Sequence, residues 1–131
     1  MITSLIVCEA IRFDPEKRSH YLGKVLNEQE VVTFPAILEL HALAKIFDFK
    51  EEGPHEIELQ FMDDQQRIKG SIEKRTVHNQ RSAEKISGVD INFVVKALVV
   101  KQSNYRLRLY IDGQHGCDYP IHVRKADSKE E

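Results

Sequence analysis

Strict alternation of apolar and polar side chains in the last third of the chain constrains the fold more than any other feature. In residues 104–111, Tyr105, Leu107, Leu109 and Ile111 alternate with Arg106, Arg108 and Tyr110. A period of two sends successive side chains to opposite sides of an extended backbone, so the four apolar residues line one face of a β-strand. Residues 88–101 before it and 117–123 after it share the pattern. Asp112-Gly113 between strands is a hairpin turn signal, because glycine takes positive φ without steric cost. Short strands with apolar faces need a second sheet to bury them. The expected fold is therefore all-β: a single-domain antiparallel β-sandwich, Greek-key and immunoglobulin-like, of about seven to eight strands.

The remaining elements follow from the same reading. Residues 2–13 form a first strand, with Leu5, Val7 and Ile11 on one face and Ile6, Cys8 and Ala10 on the other. Asp14-Pro15 opens a turn over residues 14–20. Residues 21–34 hold a second strand, broken near Asn27-Glu28 and ended by Phe34-Pro35, since proline cannot donate to a ladder. Residues 36–49 fit two periods equally well. Ile37, Leu40, Leu43, Ala44 and Phe47 suit a helix, and Leu38, Leu40, Ala42, Ala44 and Ile46 suit a strand. Propensity favours the helix and the all-β surroundings favour the strand. Residues 55–62 are a strand, with Ile57, Leu59 and Phe61 alternating with Glu56, Glu58 and Gln60. After a turn at 63–66, residues 67–77 return as a hairpin arm with Ile68, Gly70 and Ile72 on one face. Residues 78–87 read as an exposed, mobile loop. Residues 1–124 make the domain and 125–131 a charged tail. The predicted core is Leu5, Val7, Ile57, Leu59, Phe61, Ile91, Phe93, Val95, Tyr105, Leu107, Leu109, Ile111, Ile121 and Val123.

At 131 residues the chain can bury a hydrophobic core without staples. A formal net charge of -2 argues against a protein that coats nucleic acid or acidic lipid. No run approaches the roughly 20 apolar residues of a membrane span. The apolar stretch ending at Cys8 lacks the basic start and small-residue site of a signal sequence. The expected location is cytoplasmic, with no membrane partner. Cys8 and Cys117 are too sparse for a disulfide framework and are expected as reduced thiols.

Ile6-Val-Cys8-Glu9, Tyr21-Leu-Gly23-Lys24, Thr33-Phe-Pro35, the run from Tyr105 to Gly113 and Tyr119-Pro-Ile-His-Val123 together carry a resemblance over almost the whole chain. In them the chain resembles an uncharacterised family of small bacterial β-sandwich proteins, a domain of unknown function. It departs from that pattern at Glu9, where aspartate is expected, and at Asn104, which replaces a turn glycine. The resemblance implies a fold and no reaction. It also implies that residues 36–49 form a strand.

Nothing comparable points to chemistry. His115-Gly-Cys117 with Asp118 is the closest metal-like spacing, and His122 on the following strand could approach in space, but no second ligand pair exists. Residues two apart on a strand share a face, so His115 could assist the Cys117 thiol. Glu56 and Glu58 share an outer face and are expected to solvate it. Gly113-Gln-His-Gly116 lacks a Walker lysine. No catalytic residue, metal or cofactor is expected, and the chain is expected not to be an enzyme.

Charge is segregated: residues 48–64 are acidic and 67–85 basic. The default explanation is cross-strand pairing, with Lys69, Glu73 and Arg75 outward against Glu56 and Glu58. The functional alternative is anion or nucleic-acid binding through Arg67, Lys69, Arg75, Arg81 and Lys85, without the aromatics that single-strand binding uses. The leading expectation is a non-enzymatic interaction module with a protein partner or a homodimer formed by edge pairing. Its candidate surfaces are residues 14–20, 78–87 and 113–116, with Tyr110, His115 and Cys117 as contacts. The other alternative is a small metal- or thiol-dependent enzyme around His115 and Cys117.

Overall fold

The segment that two periodicities describe equally well is a strand. In a computed structural model, which describes residues 1–70 and 73–127, all regular structure is β. Among the described residues ten strands occur: β1 (Ile2–Cys8), β2 (Ile11–Asp14), β3 (Ser19–Leu22), β4 (Glu28–Val31), β5 (Ala36–Phe47), β6 (His55–Met62), β7 (Glu73–Val77), β8 (Gly88–Val99), β9 (Ser103–Ile111) and β10 (Gln114–Lys125). Among the described residues no helix is long and apolar enough to cross a membrane.

The count exceeds the expected seven to eight because two predicted strands are divided. The first breaks at Glu9-Ala10. There Glu9 N–H donates to Lys24 O and Gly23 N–H to Ala10 O, so the chain leaves its sheet and forms the β2–β3 hairpin. The second divides into β3 and β4 where Asn27-Glu28 marked a break.

Three strands lie in the order β1-β5-β8 and five in the order β4-β10-β9-β6-β7. Pairing is antiparallel except between β10 and β4, which run parallel. β5 is central, paired on one side with β1 and on the other with β8. Its inward residues Leu38, Leu40, Ala42, Ala44 and Ile46 are buried, so two flanking ladders and a core override the helical propensity of the segment. All fourteen predicted core residues lie in one buried cluster that draws on both sheets.

The hairpin arm expected over residues 67–77 is more indirect. Ile68 bridges Met62, and then the chain crosses to the other sheet, where Gly70 bridges Ala97 and Lys69 O accepts from Leu98 N–H. A Cβ on Gly70 would sit 2.7 Å from Lys96 O, so only glycine permits this crossing. β7 then pairs with β6. The face assigned to Ile72 lies outside the described residues, as does the last part of the tail, 128–131. The Asp112-Gly113 turn is as expected, with φ of 50° and 80° and Ile111 facing Gln114.

Candidate functional site

β10 carries a bulge between His115 and Cys117, and that single extra residue decides the fate of the His–Cys constellation. His115 faces Tyr110 on the outer side of the sheet, whereas Cys117 pairs with Leu109 and packs against the core. The expectation that the two share a face is therefore wrong. Burial raises the Cys117 thiol pKa, against a hydrogen bond with Thr3, which favours the protonated thiol.

His115 belongs instead to a charge network. Its Nε2 lies 2.8 Å from Asp118 Oδ1, and the same carboxylate accepts from Arg106 at 2.9 Å and from Arg108 Nε and Nη2 at 2.9 and 3.1 Å. Burial raises the Asp118 pKa, but the hydrogen bonds from Arg108, His115 and Arg106 outweigh it and hold the carboxyl far below the usual range. His122 is elsewhere, with Nδ1 2.8 Å from Asn104. Among the described residues no group of three or more His, Cys, Asp or Glu could hold a metal ion. Glu58 accepts from Gln60 and lies 3.9 Å from Lys74, an exposed surface arrangement.

Three of the five basic residues proposed for anions have separate partners. Arg67 donates to the buried Asp63, whose carboxylate also caps Gln65 and Arg67 N–H groups and closes the 63–66 turn. Lys69 spends its backbone on the crossing to β8. Arg75 faces the core side, opposite Ile57, with its guanidinium 4.6 Å from the Phe93 ring centroid. Lys74, not Arg75 or Glu73, faces Glu58 across the ladder. A register one residue from the expected one moves every β7 side chain to the opposite face. Only Arg81 and Lys85 remain together.

Two of the candidate loops do meet. Arg18 from the β2–β3 turn joins Asn79, Gln80, Arg81, Ser82 and Lys85 around an open notch of about 500 Å³. The 78–87 segment is pinned rather than loose. Asn79 Oδ1 accepts from Arg81 N–H at 3.0 Å and Gly88 N–H at 2.8 Å, and Gln80 N–H donates to Gly88 O. Arg81 Nη2 donates to Asp90 Oδ2 at 2.9 Å, and Lys45 Nζ donates to the other oxygen at 3.0 Å.

Sequence reasoning missed the pair of buried His55 and exposed Asp112, whose members are far apart in the chain and share no spacing pattern. His55 Nδ1 lies 2.7 Å from Asp112 Oδ2, and Nε2 lies 3.1 Å from Glu51 O. Carboxylate and carbonyl both accept, so this geometry favours a ring with both nitrogens protonated. Hydrogen bonds to Asp112 and Glu51 raise its pKa against burial, and the Phe49 ring stacks on it at 5.0 Å. A histidine with neither nitrogen free cannot serve as a general base or a metal ligand. It clamps the loop after β5 to the turn between β9 and β10, beside clefts of about 490 and 420 Å³.

On the outer face of the three-stranded sheet, β2 contacts β5 and Cys8 and Leu43 are buried. Beyond the hairpin that face is open: Ile37 is 75% exposed, Leu98 49% and Val94 45%. Ile37 pairs with Leu98, and the next outward pair is Glu39 with Lys96, 3.9 Å apart.

The profile of a family of unknown function, DUF6941, matches residues 3–124. No curated protein matches the chain. A glycosyl hydrolase family 2 member from Bacteroides cellulosilyticus shares a fold over 71% of this chain and 12% of its own length, with a TM-score of 0.50 and 14% identity. The chain thus spans a small part of that protein, and at this identity the likeness is one of fold alone.

Proposed function

We propose that this chain, which belongs to the DUF6941 family of unknown function, is a non-enzymatic interaction module built on an immunoglobulin-like β-sandwich. The strand orders support the architecture. β1-β5-β8 corresponds to immunoglobulin strands A-B-E, and β10-β9-β6-β7 to G-F-C-C′. In this reading strand A is divided by the β2–β3 hairpin, and β4, parallel to β10, is its second half. Tyr105, at the start of the F-like strand, donates its hydroxyl to Lys101 O at 2.8 Å, as a tyrosine corner does.

The single observation that carries the function is the exposed apolar patch of Ile37, Val94 and Leu98 on the outer face of β5-β8. Hydrophobic side chains grouped on a folded surface mark contact sites more often than chance. A second copy of the chain is the occupant to test first. The face suits it better than the β8 edge, whose ends are taken by Lys69 and by Asn79 and Gln80. Sedimentation velocity over a concentration series should show a dimer that Ile37→Lys with Leu98→Lys disperses. Monomers throughout, in the original chain and the double variant alike, would defeat the homodimer reading.

A further inference from the structure

We propose that the notch between the β2–β3 turn and the 78–87 loop binds a small phosphate-bearing molecule. The inference is independent of the apolar patch. Every charged residue lining the notch is a cation: Arg18, Arg81 and Lys85. A phosphomonoester carries about -1.5 to -2 charges near neutral pH, which three cations can neutralise. Arginine presents a planar fork that pairs with phosphate oxygens two at a time.

Arg81 is held in place by Asp90. Asp90 takes one guanidinium nitrogen of Arg81 and leaves the others free, while Lys45 balances the rest of the Asp90 charge. The hydrogen bonds of Asn79 and Gln80 set the loop backbone before any ligand arrives, which lowers the ordering cost of binding. Arg18 sits at φ 52°, a left-handed conformation that glycine or asparagine adopts more cheaply. The turn itself thus gives no reason for an arginine there, and the notch does. The Ser82 hydroxyl is committed to Glu84, so recognition falls on the cations.

The size and lining choose the ligand class. The notch is open and about 500 Å³, so it admits anions larger than a bare phosphate. No lining residue is aromatic, whereas single-stranded nucleic acid is commonly held by stacking on aromatic rings.

Amide NMR titration at constant ionic strength tests this, with inorganic phosphate, pyrophosphate and a short single-stranded RNA as separate probes. Pyrophosphate should give saturable shifts confined to residues 15–18 and 79–90, with phosphate weaker at the same amides. Arg18→Gln and Lys85→Gln should each weaken pyrophosphate roughly fivefold, with unchanged thermal midpoints, and Lys74→Gln should not. Non-saturating shifts spread over the surface cations would overturn the site. So would saturable binding that the Arg18→Gln, Lys85→Gln double variant leaves intact. Saturation by the RNA alone would replace the small-anion proposal with a nucleic-acid one.

Discussion

On the outer face of β10-β9, Arg106, Arg108 and His115 all bond to the Asp118 carboxylate within about 3 Å. On the outer face of β5-β8, Ile37, Val94 and Leu98 meet solvent with only the loose Glu39–Lys96 pair between them. Both faces belong to strands that bury their other side in one core. The difference is in what each face still lacks. A carboxylate with its guanidinium and imidazole donors already in place gains little from a partner, and a partner would have to desolvate it. Apolar area in water retains its driving force, roughly 25 cal/mol per Å² when covered.

The comparison breaks most visibly at Asp118. Asp118→Ala leaves Arg106 and Arg108 facing each other without their acceptor and should cost about 2–3 kcal/mol in urea unfolding. A loss within experimental error would mean that the polar face is not held by this network.

A smaller effect lies at the end of the same sheet. The folded His55 pKa is raised, so its stabilisation is fully present below about pH 6.5 and is lost as pH rises through the folded value. Hydrogen bonding from His55 and from Glu56 N–H depresses Asp112, so that contribution persists above its unfolded pKa and disappears only in acid. Asp112→Asn tolerates the positive φ and removes the charge. Its unfolding free energy should fall below that of the original chain at mildly acid pH, by about 1 kcal/mol given the exposure of Asp112. The gap should narrow in mildly alkaline buffer. A gap that stays the same across this range would show that His55 is neutral in the fold.

Arg75 and Lys74 separate the two sides of β7. Arg75→Ala loses the contact over Phe93 and should cost about 1 kcal/mol with little salt dependence. Lys74→Ala loses an exposed ion pair and should cost under about 0.5 kcal/mol. Reversed magnitudes would mean that β7 is registered the other way.

The smallest effect on folding is expected on the apolar face. Ile37→Lys should change monomer stability by less than about 0.5 kcal/mol while altering sedimentation. A large loss of stability would instead show that the patch is packed within the monomer.

Much of the fold was legible because alternation is a local signal. Tyr105 to Ile111 and Ile57 to Phe61 declare both strand and inward face. Residues 36–49 did not, because Leu, Ala, Glu and Lys placed there satisfy two periods at once. The candidate sites were less legible still. His115 and Cys117 are separated by a bulge that no local pattern announces, and Arg67, Arg75 and Arg81 found unrelated partners in Asp63, Phe93 and Asp90.

The sequence alone determined the strand-rich class, the core-facing residues and the Asp112-Gly113 turn, because each depends on neighbours within a few residues. Tertiary structure decided the rest. It made β5 a strand by flanking it with β1 and β8, set Arg75 over Phe93 by register, joined His55 to Asp112, and brought Arg18 to Arg81 and Lys85. Those outcomes depend on which distant segments pair, and pairing is settled by burial summed over whole sheets rather than by any residue's own preference.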